Sequence, residues 1–304
     1  MHTISLALGL IVVFAALACT EGVNSAPVVT PLAAQGGIQD RLVETVKQGI
    51  AKSKGARFWV VYSIKAHRGI GVDEEVTEVK GTVNKEGLRI SLRPASESKN
   101  VSVFLLYQGN QIEKVEIHDL DRYRAQDYPV HSLGPVTNAE SIALLKSLLP
   151  EHSGKLTGER LVLAIGLHDD AQVTPTLLGI VNNSEVSDKE RGAAAMWLGQ
   201  ISGQKATLEN LARNEALPIE VRKQAIVGLG FTRESDVLPT LQNFYETFSD
   251  RELKQQALFA ASHTINRAEA SAFLTRVKDS DPDQDLRQQA ALWLQRLSAS
   301  PINK

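Results

Sequence analysis

The chain has 304 residues, 43% of them hydrophobic, with 33 Lys/Arg against 35 Asp/Glu and one cysteine. That is enough apolar material for a sizeable core and about two domains, while the net charge of −2 lacks the clustered basic excess of a nucleic-acid surface. A single cysteine allows no intramolecular disulfide, so stability must come from packing. Residues 36–135 carry 15 Lys/Arg and 13 Asp/Glu, and residues 136–304 carry 18 and 21, so neither half is polarised enough to name a partner.

Ile4 to Ala18 is an apolar run of 15 residues, shorter than the ~20 needed by a membrane-spanning helix. Residues 1–18 therefore read as a signal peptide. Ala16 and Ala18 supply the small residues that signal peptidase requires, and Cys19 follows directly. Here the sequence resembles a bacterial lipoprotein signal. The resemblance implies a lipid anchor on Cys19 and export to the periplasm or the membrane surface. It departs from that pattern at Ala16, where leucine is usual, and in a first stretch, Met1–Ser5, without Lys or Arg. Secretion after a cut elsewhere, such as Leu32-Ala33-Ala34, is the alternative. Residues 19–37, small and nearly uncharged with Pro27 and Pro31, read as a flexible tether.

Ile38 to Lys54 places apolar residues at 38, 42, 43, 46 and 50, a helical spacing that Gly55 ends. The period then changes to two. Arg57–Ala66 is aromatic and β-branched, Glu75–Val83 alternates, and Leu88–Leu92 follows the turn-forming Asn84–Gly87. Val101–Tyr107 and Gln111–Ile117 flank Gln108-Gly109-Asn110, a hairpin signature. These strands predict a meandering antiparallel sheet with one wet and one buried face, giving a helix-plus-β domain with its connector over residues 38–135. The connector holds Asp119, Asp121, Asp127 and His131, but His118 and His131 lie 13 apart among turn formers, unlike the tight spacing of a metal site.

From Thr137 onward the helical period dominates. Asn138 can cap a first helix whose apolar stripe is Ile142, Leu145 and Leu149. Beyond it, the string Asp188–Gln200 (DKERGAAAMWLGQ) recurs. Arg191, Ala194, Leu198 and Gly199 return as Arg222, Ala225, Leu229 and Gly230, as Lys254, Ala257, Ala261 and Ser262, and as Arg287, Ala290, Leu294 and Gln295. An earlier copy reads Arg160, Leu163, Leu167 and His168. The basic position advances by 31, 31, 32 and 33 residues, a stacked-repeat period in which no unit buries its apolar face alone. Second helices are expected near 157–167, 188–201, 218–230, 250–264 and 283–297, with shorter first helices between them.

This half resembles the HEAT-repeat family, close to its short bacterial, armadillo-like branch. The residues that carry the resemblance are the Asp-Pro-Asp-x-x-Leu-Arg-x-x-Ala run from Asp281 to Leu294 and its equivalents at Glu220–Gly230 and Asp188–Gly199. It implies an α-solenoid over residues 136–304, and in such repeats the basic residue pairs with an acid of the inter-helix turn. Asp188, Glu220, Asp250 and Asp283 are placed for that role beside the Arg160, Arg191, Arg222, Lys254 and Arg287 column. The repeated alanine fits close helix crossings, where anything larger than methyl would push neighbours apart.

Asp279, Asp281, Asp283 and Asp285 alternate like a calcium loop, but Gln284 and Ala290 occupy the positions where that loop needs Gly and Glu. Trp197 is more distinctive. The repeat offsets carry it to Gly228, Ala260 and Trp293, so two indoles bracket two small residues. Facing the open side of the second helices, this column makes a shallow aromatic slot for a peptide or apolar ligand. Facing inward, the indoles fill packing gaps.

No Gly-rich phosphate loop, G-x-S-x-G elbow or H-E-x-x-H is present. Among HEAT-like enzymes, the deoxyhypusine hydroxylases use His-Glu pairs, whereas none of the seven histidines here precedes Glu. The alkyl-purine glycosylases need a basic cleft, and the bilin lyases act on a substrate that an exported chain would not meet. The sequence thus predicts an α+β multidomain protein, a small antiparallel β domain followed by an α-α superhelix. Its expected function is non-catalytic protein binding or scaffolding in the bacterial cell envelope. No cofactor is expected, the partner is a protein or peptide, and the membrane is met through Cys19. The alternative is an enzyme or enzyme accessory with a site around Tyr123, Asp127 and His131, at the junction of β domain and solenoid.

Overall fold

A computed structural model of the chain describes residues 3–4, 30–31, 37–67, 69–79, 82–93, 100–119 and 128–299. Cys19, Tyr123 and Asp127 lie outside them. The described residues fall into two compact units, one within Met1–Ser147 together with Leu167–Asp170, the other within Leu148–Gly166 and Ala171–Lys304.

In the first unit, helix α1 (Ile38–Ser53) ends where Lys54 and Gly55 take left-handed backbone, with φ of 53° and 83°, a common way to leave a helix. The strands are β1 (Thr3–Ile4), β2 (Thr30–Pro31), β3 (Arg57–Lys65), β4 (Gly69–Val79), β5 (Thr82–Arg93), β6 (Asn100–Gln108), β7 (Gln111–Asp119) and β8 (Val130–Ser132). They make two sheets, β1-β5-β4 and β2-β8-β3-β6-β7.

The long strands β3, β6 and β7 are antiparallel, as the alternation predicts, but they do not meander in chain order. β3 pairs with β6 along its whole length, from Arg57 opposite Gln108 to Lys65 opposite Asn100, and the β4–β5 hairpin builds its own sheet. β8 joins β3 in parallel, Val130 beside Trp59. The expected turn at Asn84–Gly87 is strand instead. Asn84 pairs with Thr77, and Val79 faces Thr82. The Gly109 hairpin forms as expected: Gln108 faces Gln111, and Gly109 with φ 58° takes the first central position that a type II′ turn reserves for glycine.

Phe58, Val60, Tyr62 and Ile64 make the buried face of β3, while the opposite face is exposed at Arg57 and Lys65, half-buried at Val61 and Ser63 and covered at Trp59, so the expected wet face is only partly covered. Phe58 lies under α1 at Gly49, where a Cβ would come within 2.2 Å of the ring. On the other face Trp59 packs with Phe104, Leu106 and Val130. Some polar groups inside this unit are tied down individually. Buried Arg41 on α1 donates from Nη1 to the carbonyls of Leu133 (3.0 Å) and Pro135 (2.7 Å). Ser141 Oγ donates to Tyr62 Oη at 3.1 Å and lies 2.8 Å from His168 Nε2, and all three side chains are buried.

The helices run α2 (Asn138–His152), α3 (Leu156–Leu167), α4 (Val173–Val181), α5 (Asp188–Leu198), α6 (Lys205–Arg213), α7 (Ile219–Phe231), α8 (Val237–Thr247), α9 (Arg251–Ala261), α10 (Arg267–Ser280) and α11 (Gln284–Ala299). First and second helices alternate where the period places them. In the second unit each second helix stacks on the next, α5 on α7, α7 on α9 and α9 on α11. The seam is made of small residues. A Cβ on Gly199 would sit 2.1 Å from the carbonyl oxygen of Gly228, and one on Gly230 would sit 2.6 Å from that of Ala260. Ala194, Ala225, Ala257 and Ala290 are fully buried.

Three of the repeated arginines take a carbonyl partner, and Arg191 takes the expected acid as well. Arg191 Nε donates to the carbonyl of Val181 at 2.9 Å, and Arg222 Nε to that of Ala212 at 3.0 Å. Arg287 Nη1 donates to the carbonyl of Asp281 at 2.7 Å. Each arginine thus satisfies a carbonyl at the end of the preceding first helix, a group the helix itself leaves without a donor. Arg191 also reaches Asp188 at 2.9 Å, but Asp250 and Asp283 do something else. Their Oδ1 atoms accept from the backbone N–H groups of Glu252 and Leu253 and of Asp285 and Leu286, capping α9 and α11.

Candidate functional site

The tryptophan column is divided by the fold. Trp197 is 4% exposed, and its indole closes over Gly166, the same position one repeat earlier, where a Cβ would approach Cγ to 2.9 Å. Gly228 sits beneath Leu208 and the carbonyls of Ala195 and Met196, and Ala260 is fully buried. These three residues line the stacking seam, so the aromatic slot expected between the indoles is filled by backbone. Trp293 alone of the four is half-buried.

What lies around Trp293 is a row that sequence reading missed. Phe231 ends α7, Phe259 lies on α9 with His263 just beyond it, and Trp293 lies on α11. The rings touch from repeat to repeat. Phe231 meets His263 at 5.4 Å and Phe259 at 6.2 Å between centroids, and Phe259 meets Trp293 at 4.9 Å, all edge-on. Arg296 lies 4.8 Å over the Trp293 ring. His263 Nδ1 is 2.9 Å from the carbonyl of Phe259. Ser262 Oγ lies 3.0 Å from the same nitrogen, and the two contacts hold the ring in place. Leu292, beside Trp293, is 38% exposed. The repeat offsets were the signal: 31-, 32- and 33-residue steps carry Gln200 to Phe231, His263 and Arg296. Chemically the row offers rigid apolar area, with a cation at one end.

The other candidates lead elsewhere. His131, from the alternative site, is 5% exposed and meets Phe58 edge-on at 5.7 Å, inside the sheet unit's core rather than in a cleft. Burial lowers its pKa, with nearby Lys52 adding to the effect. The acids of the calcium-like run are spent locally: Asp281 Oδ2 accepts from Tyr245 Oη at 2.5 Å, and Arg251 pairs with Asp283 and Asp285. Among the described residues no group of three or more His, Cys, Asp or Glu could hold a metal ion, and no helix is long and apolar enough to cross a membrane. A buried carboxylate that the sequence did not flag, Glu190, accepts from the backbone N–H of Gly154 at 2.8 Å and from the hydroxyls of Ser153 and Ser187. It closes the turn before α3 onto α5.

Residues 206–295, which run from α6 into α11, match the profile of HEAT repeats. Among solved structures, the chain is similar to one from the complex of CpcE and CpcF of phycocyanin lyase from Nostoc sp. PCC7120. The identity is 16% and the TM-score 0.41, over 51% of this chain and 98% of that one. No curated protein sequence matches the chain.

Proposed function

We propose that this protein is a non-catalytic scaffold of the bacterial cell envelope, whose HEAT-repeat array binds a protein or peptide partner along the Phe231–Trp293 row. The observation that carries the reading is the row itself, rings from three successive second helices in contact beside the exposed Leu292. Rings already held by their neighbours lose little freedom on binding, so their contact area converts efficiently into affinity. Export rests on the apolar run Ile4–Ala18 and the small residues before Cys19. We place a lipid on Cys19, with secretion of an unlipidated chain as the alternative.

A photoreactive residue at Leu292, and separately at exposed Glu185, tests the binding face in producing cells. Position 292 should give one discrete protein adduct that is lost when Phe231→Gln is added, and position 185 none. The same adduct from both positions, or none from 292, overturns the reading. Labelled fatty acid should enter the wild type and not Cys19→Ser.

A further inference from the structure

β7 is the outer strand of the five-stranded sheet. It ladders with β6 on one side, and among the described strands none ladders with its other side, although β4 passes near it. An outer strand presents a row of backbone N–H and C=O groups that another strand can take up. β7 runs 9 residues, Gln111–Asp119, with a bulge at Glu113 where its ladder to β6 shifts, and its regular part begins at Lys114.

Two copies of one strand pairing antiparallel about a two-fold axis normal to the sheet obey a simple rule. Residue i faces residue j with i + j constant, and side chains of the same face meet when that constant is even. The charges of β7 choose among the central registers. Centring on Lys114 sets lysine against lysine, and centring on Glu116 sets glutamate against glutamate. Centring on Val115 sets Lys114 against the partner's Glu116 twice, inside the part of β7 where the ladder is regular. Like charges directly opposite are destabilising and unlike ones favourable, so one register stands out.

We propose that β7 is a self-association edge: two copies of this chain join β7 to β7 antiparallel, centred on Val115, and continue one sheet across both. The geometry within one chain fits. Lys114 and Glu116 already form an ion pair on one face, with His118 Nε2 2.8 Å from Glu116, and their side chains keep 45% and 23% exposure. Burial pushes the Glu116 carboxyl up, but hydrogen bonds from His118 and Lys114 outweigh it and hold it down to about 2, so the carboxylate is ionised at neutral pH.

Sedimentation of the full chain over a concentration series tests this. The wild type should show a reversible monomer–dimer equilibrium. Lys114→Glu and Glu116→Lys each place like charges opposite one another twice, and each should raise the dimer Kd about tenfold or more. The double reversal K114E/E116K should restore wild-type association. Backbone amide exchange of the wild type gives a second reading that needs no variant: protection along β7 should rise with concentration while that of α1 stays constant. A wild type that is monomeric throughout, a dimer indifferent to the single reversals or not restored by the double one, or β7 amides whose exchange ignores concentration would each overturn the proposal.

Discussion

The two units bury polar backbone and apolar side chains by opposite strategies. In the helical unit each device is used again: a small residue at every crossing, an arginine on the carbonyl end of a first helix, an aspartate on the N-terminus of a second. In the sheet unit each device occurs once, as with Arg41 on the Leu133 and Pro135 carbonyls or Ser141 between Tyr62 and His168. A repeated device is legible in one dimension and its failure stays local, because each repeat touches only its neighbours. A unique device depends on strands brought together from afar, so neither its partner nor its importance is written nearby.

The contrast can be tested hardest at Trp197. If this indole fills the gap over Gly166, Trp197→Ala should destabilise the helical unit by about 3–5 kcal/mol in denaturant unfolding. Unchanged stability with loss of the partner adduct would return it to a binding role. The seam itself comes next. Gly199→Ala drives a methyl into the Gly228 backbone and should cost about 3 kcal/mol. Gly179→Ala meets nothing within 4 Å and should stabilise α4 by about 0.5 kcal/mol. Opposite signs in thermal melts of the two variants would locate the constraint at the crossing rather than in glycine as such.

Arginine capping acts on a smaller scale. Arg191 is 8% exposed and also holds Asp188, so Arg191→Met should cost about 2 kcal/mol, and the more exposed Arg222→Met about 1 kcal/mol. Equal losses would mean that the column works through something other than these carbonyls. The smallest effect is acid sensitivity, which reaches both units through buried histidines. Burial lowers the pKa of His131 in the sheet unit and of His152 in the helical one from the ordinary 6.5. The folded state keeps each neutral while the unfolded chain takes a proton below that value. Their contribution is therefore full above 6.5 and falls as pH drops from there toward the folded value. His131→Phe should flatten the acid limb of a melting profile for the sheet unit, and retention of the slope would assign it to other groups.

How far the sequence was readable follows the same division. The helix pairs were placed from period alone, because partners 31 to 33 residues apart repeat the same contact. The strands were found but not their order. Nothing local says that β3 prefers β6 to β4, and Asn84–Gly87 has turn chemistry that a ladder partner at Thr77 overrides. Charge alone points to the Arg191–Asp188 pair, but not to the carbonyls that the arginines also reach. The signal is the ten-residue step from Val181 to Arg191, repeated from Ala212 to Arg222, although it shortens to six from Asp281 to Arg287. The indole column was ambiguous because one column cannot say which way it faces. Gly166, one period before Trp197, held the answer, since a glycine beside a seam leaves room that the next copy must fill.

The arginine-to-carbonyl bond has a mechanical consequence. At Arg191 and Arg222 it spans ten residues inside one helix pair, so those pairs close their own turn without help from the pair above. Pulled from its C-terminal end, such a stack should give way a pair at a time, each step releasing one period of chain, roughly 11 nm for ~31 residues at about 3.5 Å each. Pairs whose arginine is buried, like that of Arg191, should be the last to go.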